Sequence, residues 1–219
     1  MGHEINLMAQ YPQSKRDLEG RANQRTEEDR HIARRFDQRF FDGDRKYGYG
    51  GFNYFPRFWQ PVIPAFKERY NLTSTSRILD VGCAKGFMLY DFMQLIPGIQ
   101  VAGIDVSEYA ITHAKEEVKD YVQVADARKL PFEDHSFDLV IAINTIHNLG
   151  REDCKKALQE LERVSRGGKF VTMDAYRSDD EKIRMDMWNL TALTYMHVEE
   201  WKQFFKEAGY AGDYYWFIP

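Results

Sequence analysis

Three carboxylates, Asp80, Asp105 and Asp126, fall at or just after the ends of three successive short apolar runs, 77–81 (RILDV), 100–104 (QVAGI) and 121–124. The first run leads into a tight turn, Val81-Gly82-Cys83-Ala84-Lys85-Gly86. A dinucleotide-binding turn would read G-x-G-x-x-G, its middle glycine letting the backbone touch a pyrophosphate. Counted from Gly82, that position holds Ala84, and the third glycine comes one residue early. Asp80 argues the same way: a carboxylate repels a pyrophosphate but attracts an ammonium or a sulfonium. The turn therefore favours a nucleoside with a cationic side arm. Asp105 can accept from both ribose hydroxyls, and Asp126 from an amino group on a purine. Each aspartate alone could equally be a helix cap or turn residue. Three at successive strand ends beside a glycine turn favour a ligand.

To position them, short β-branched runs alternate with helical stripes from residue 77 onward. Strands are expected at 77–81, 100–104, 121–124, 137–143, 169–173 and 213–218. Helices are expected at 86–96, from the Ser107 cap, at 152–165 and at 198–208. Such alternation calls for a parallel sheet covered by helices on both faces, with ligands beyond the carboxyl ends of its strands. Residues 1–76 are different. The spacing of Ile32, Phe36 and Phe40 predicts one helix over 27–41, its arginines forming a solvated face. Residues 47–64 are crowded with aromatics and broken by Gly and Pro, so they read as a packed loop or one that covers a ligand. Only one strand is expected after residue 208, which leaves either a six-stranded sheet, a further strand hidden in 181–196, or a helix there covering the site.

ILDVGCAKG, VAGIDVSEYAITHA, VADARKLPFEDHSFDLVIAINTIHNL and RVSRGGKFVTMDAY together resemble the class I S-adenosylmethionine-dependent methyltransferases, in the branch that modifies small molecules. The resemblance covers about residues 75–175. It implies a Rossmann-like α/β three-layer sandwich with a mostly parallel sheet of six or seven strands, preceded here by an N-terminal helical and aromatic cap (1–76) before the catalytic domain (77–219). It implies S-adenosyl-L-methionine as cofactor. Asp80, Gly82, Cys83, Ala84 and Gly86 would line its methionine part, Asp105 and Val106 the ribose side, Asp126 and Ala127 the adenine, and Asn144 the neighbourhood of the methyl group. The family commonly ends on an antiparallel strand, for which the chain after residue 208 leaves little room.

Methyl transfer is an in-line displacement that needs alignment, exclusion of water and, for a protonated acceptor, a base. His147, in the loop after the fourth strand, is the expected base, with a purely orienting role as the alternative. Asn148, Asp174 and Tyr176 lie on the same rim as substrate contacts or plain turn and packing residues. Tyr47, Tyr49, Tyr54, Arg57 and Trp59 are expected either as a substrate-contacting lid or as a hydrophobic plug or homodimer interface. No metal site is expected.

The composition fits a soluble, cytoplasmic protein. Of 219 residues, 43% are hydrophobic, enough for a full core, and the two cysteines make no disulfide framework. No apolar run approaches the roughly 18 residues of a membrane span. A net charge of -4, and no base-clamping motif after the fourth strand, argue against nucleic acid as partner. The expected function is methyl transfer to an oxygen or nitrogen of a small polar metabolite, of sugar type or a secondary-metabolite precursor. The alternatives are a nucleic-acid or protein methyltransferase, or a cofactor-binding subunit without catalysis.

Overall fold

A computed structural model describes residues 2–12, 17–48, 50 and 53–219. In chain order the elements are α1 (Leu18–Gln24), α2 (Glu27–Ala33), α3 (Gln38–Asp42), α4 (Pro56–Trp59), α5 (Ile63–Arg69), β1 (Arg77–Val81), α6 (Phe87–Leu95), β2 (Gln100–Asp105), α7 (Glu108–Thr112), β3 (Val122–Val124), β4 (Phe137–Ile143), α8 (Arg151–Val164), β5 (Ser165–Tyr176), α9 (Asp179–Trp188), β6 (Met196–His197), α10 (Val198–Ala208) and β7 (Asp213–Phe217).

The sheet has seven strands in the order β3-β2-β1-β4-β5, with β6 and β7 both pairing β5. Every strand pair is parallel, including β5 with β7 (Phe170 opposite Asp213 through Asp174 opposite Phe217). The antiparallel final strand common in the resembling family thus has no counterpart among the described residues. The outer edge of β7 is partly sealed by residues 3–5: Ile5 N–H donates to Tyr214 O (2.9 Å) and Tyr214 N–H to His3 O (3.0 Å). Pairing of this kind removes an exposed strand edge.

Alternation along the strands divides the core. Leu79, Val81 and Val140 face α8 and α10, where Leu158, Leu161, Trp201, Phe204 and Phe205 are buried. Ile78, Leu139, Ile141 and Phe170 face α5 and α6, where Ile63, Phe66, Leu89 and Phe92 are buried. A one-residue slip of any strand would exchange its two faces, so the register is strongly fixed. Burial of each such Leu or Phe side chain stabilises by about 1.5–3 kcal/mol.

Residues 181–196 supply both a helix and a strand, since α9 is followed by the two-residue β6. The single helix expected over 27–41 is two. Phe36 takes a left-handed conformation (φ 49°), which breaks the run between α2 and α3. α2 starts on a capping box in which the Thr26 hydroxyl accepts from Asp29 N–H and the Asp29 carboxylate accepts from Thr26 N–H. The structure also corrects the reading of the arginines as a solvated face. Arg25 Nη1, Arg30 Nη1 and Arg34 Nε donate to the carbonyls of Trp188 (3.2 Å), Asn189 (2.7 Å) and Thr191 (3.4 Å).

Candidate active site

The turn between β1 and α6 is built on three residues of positive φ, Gly82 (85°), Ala84 (50°) and Gly86 (74°). Gly82 is also required for closeness, because a Cβ there would lie 2.2 Å from Thr145 Oγ1 in the loop after β4. Ala84 carries a side chain in the left-handed region at a cost of about 1–2 kcal/mol. That conformation aims its N–H at Asp105 Oδ2 (2.9 Å), while Ser107 N–H donates to Asp105 Oδ1 (2.9 Å). Cys83 is buried beside Gly103, where a Cβ would come within 2.8 Å of its sulfur.

The turn thereby brings two buried carboxylates together. Burial, and then the neighbouring Asp105, push the Asp80 carboxyl up to about 7, and no hydrogen bond among the described residues offsets the shift. Burial also raises Asp105, against the backbone N–H groups of Ser107, Ala84 and Val106 that favour its charged form. Two like charges held out of water form a site for a cation. Next to Asp105, the Val106 side chain is 59% exposed, an apolar platform at the strand ends. Asp126 lies beyond β3 and is engaged: Arg128 donates to both its oxygens and, through Nη1, to Asp153 (2.8 Å). A purine amino group there would share the carboxylate with Arg128. Ala127 is half-buried beside it.

On the other side of β1, Asn144 (φ 51°) is fixed by Thr172, whose hydroxyl donates to Asn144 Oδ1 (2.8 Å) and accepts from Asn144 N–H (2.7 Å). Asn148 Nδ2 donates to Asn144 O (3.2 Å), while its Oδ1 is buried without a partner. His147 overturns the general-base expectation. Its ring is buried, and its Nδ1 lone pair already accepts from Asp174 N–H (3.0 Å). The proton therefore sits on Nε2, 3.6 Å from Asp174 Oδ1, too far for a hydrogen bond. Burial lowers the imidazole to about 3, so the contact is between a neutral ring and a carboxyl group rather than an ion pair. His147 positions Asp174 and also, through its carbonyl, the 193–194 backbone (3.0 Å each). Burial pushes the Asp174 carboxyl itself up to about 7. Tyr176, at the end of β5, packs edge-on against His197.

The Tyr54 hydroxyl donates to Asp91 Oδ1 (2.6 Å) on α6 and its ring packs on Phe87 and Tyr90. The exposed Arg57 lies over the rings of Phe55 and Phe58, and Trp59 packs on Tyr11. Tyr54 thus packs on α6, and Trp59 on Tyr11, which is the packing alternative to a substrate-contacting lid. Tyr47 is half-buried in a short turn after α3, and Tyr49 lies outside the described residues.

α2 and α3, by contrast, are fastened to the strand ends. Besides the three arginine contacts to 188–191, the Ser107 hydroxyl donates to Phe36 O (2.5 Å), and Lys85 Nζ donates to both Asp42 oxygens (2.6 and 2.7 Å). The strap is thus tied to both banks of the strand ends. Lys85 stood in the glycine turn and Asp42 in a segment of mixed charge. Nothing in the spacing joined them, because their contact spans 43 residues.

A family model described as "Methyltransferase domain" matches residues 79–172. The matched stretch runs from β1 into β5 and contains both buried carboxylates. Residues 79–172 thus carry the methyltransferase domain that this family model describes. A tRNA (carboxymethyluridine(34)-5-O)-methyltransferase from Arabidopsis thaliana is 34% identical over 142 residues, covering 64% of this chain and 33% of that protein. A malonyl-[acyl-carrier protein] O-methyltransferase from Legionella pneumophila is 31% identical over 60% of this chain and 47% of its own. The chain thus spans between a third and half of the length of these methyltransferases. A solved phosphoethanolamine N-methyltransferase from Haemonchus contortus, in complex with phosphomonomethylethanolamine and S-adenosylhomocysteine, shares the fold (TM-score 0.54, 21% identity, 70% of this chain and 37% of that one).

The family's cofactor is S-adenosylmethionine, and the residues present fit it. The buried carboxylate of Asp80 has no donor among the described residues, Gly82 and Ala84 give a turn open to close approach, and Val106 is an exposed apolar face. A pH dependence follows. A cationic cofactor holds Asp80 ionised, so binding releases its proton where the free protein still carries one. Affinity for S-adenosylmethionine is therefore expected to rise as pH increases from 6 through about 7 and then level off. Calorimetry across that range checks it, and Asp80→Asn should flatten the curve at lower affinity.

Proposed function

We propose that this methyltransferase domain transfers a methyl group to an oxygen or nitrogen of a small polar metabolite, of sugar type or a secondary-metabolite precursor. The observation that carries the reading is the strap: α2 and α3 are fastened on both sides of the strand ends, which suits an acceptor small enough to be enclosed. Beneath it the rim is polar, and the unpartnered Asn148 Oδ1 offers an acceptor for a substrate hydroxyl or amine. When bound, the cofactor supplies an electrophilic methyl group on a sulfonium with a good leaving group.

The protein's own part is binding, alignment and proton removal. Asp80 and Asp105 hold the cation and the ribose. Asn144, pinned by Thr172, and Asn148 orient the acceptor. Asp174, rather than His147, is the group whose proton affinity near neutrality suits a general base, and His147 holds its backbone in place.

The test is incubation of the protein with methyl-labelled S-adenosylmethionine and a panel of polar metabolites, with bulk tRNA and a protein extract as further acceptors. Label recovered in a small molecule supports the reading. Label in tRNA alone would favour nucleoside modification, a second reading that rests on the similarity to the Arabidopsis thaliana protein. Binding of cofactor with transfer to none of them would favour a non-catalytic subunit.

A further inference from the structure

The Lys85 side chain lies in an unusual place for a lysine. It leaves the cofactor turn between Ala84, whose N–H holds Asp105, and Gly86, which starts α6, and it is only 8% exposed. Its ammonium donates to both oxygens of Asp42, the last residue of α3. The Tyr109 hydroxyl, on α7 beyond Asp105, donates to Asp42 Oδ2 (2.7 Å). One carboxylate on the strap thus gathers donors from the turn after β1 and from α7 after β2, segments that directly follow the strands that carry Asp80 and Asp105. A second fastening, the Ser107 hydroxyl on Phe36 O, lies at the break between α2 and α3. Charge-assisted, bidentate bonds between half-buried partners are the strong members of their class.

We propose that Asp42 is a positioning residue for the cofactor: by clasping Lys85 it holds the α2–α3 strap closed against the cofactor loops, so that the bound nucleoside leaves only when the pair parts. The inference rests on Asp80 and Asp105 forming the cofactor cradle. The far end of the strap, where Arg30 and Arg34 bind the carbonyls of 189 and 191, acts as the hinge side of the clasp. Neither Asp42 nor Lys85 takes part in the chemistry; they govern how long the cofactor stays.

The test is the dissociation rate of S-adenosylhomocysteine from the full chain, measured by stopped-flow displacement. Asp42→Asn and Lys85→Met should each speed dissociation about tenfold with association changed less than about twofold. The double variant should be little faster than the faster single, since each single already breaks the Lys85–Asp42 pair. Tyr109→Phe, a milder change that leaves the charges in place, should speed it about threefold and keeps the test open if either charge variant fails to fold. Dissociation from Asp42→Asn within twofold of the natural protein, or single effects that multiply in the double variant, would overturn the clasp. If the natural protein itself binds no S-adenosylhomocysteine by calorimetry, the cofactor reading falls, and this inference with it.

Discussion

Asp105→Ala is expected to weaken binding of S-adenosylmethionine by about 100-fold or more while leaving a folded protein. Each hydrogen bond from a ribose hydroxyl to an ionised carboxylate contributes about 1.5–3 kcal/mol, and two such bonds account for that loss. The substitution acts a second way. Asp105 accepts from Ala84 N–H and Ser107 N–H, so its removal frees the left-handed turn and the start of α7 together. The fold is expected to survive because the same change removes the repulsion that helps raise Asp80. Calorimetry gives the affinity and circular dichroism the fold. Asp105→Asn, which keeps one acceptor oxygen, should fall between the two. Near-natural affinity in Asp105→Ala would refute the ribose assignment.

Asp174→Asn is expected to move activity and stability in opposite directions. The folded carboxyl, raised to about 7 by burial, keeps its proton where the unfolded chain, with its ordinary value of 3.8, has lost it. Between about pH 4 and 7 the native state therefore binds more protons than the unfolded one, and stability falls as pH rises through that window. Asparagine carries no charge to bury, so the variant should show less of this fall and melt higher than the natural protein at pH 8. Turnover should do the reverse. With Asp174 as base, the rate of the natural protein rises through about pH 7, and the variant loses that limb together with about 10²–10⁴ of its rate. His147→Ala should keep the limb, because its imidazole is buried and neutral throughout this range. A variant that is more stable and equally active would leave Asp174 as a structural group only.

Lys85 shows where reading residues in order stops. The glycine turn and its three aspartates could be read because each is fixed within a few residues: the strand end, the turn that follows it and the left-handed conformations that turn needs. The alternation of strands and helices, and the division of the core into two faces, are likewise local patterns repeated along the chain. Arg30 in α2 and Arg34 just after it, by contrast, look like part of a solvated face from their own helix. Their partners are backbone carbonyls about 160 residues away, and a carbonyl leaves no trace in composition. Tyr54 was visible as part of an aromatic cluster, but only the tertiary structure shows its hydroxyl on Asp91 and its ring on Tyr90 of α6.

His147 marks the boundary most clearly. Residue type and position after the fourth strand suggest a base equally well whether the imidazole faces solvent or the interior. What decided it was a single N–H, that of Asp174 on the neighbouring strand, which fills the Nδ1 lone pair. The methyltransferase-domain motifs and the parallel sheet were legible in the residues alone, and so was the placing of Asp80 and Asp105 at successive strand ends, because those depend on local conformation. Only the tertiary structure decided that the one lone pair of the His147 ring is already filled, and that Lys85 pairs with Asp42, because burial and long-range pairing set proton affinity and access, and neither is written in the spacing of residues.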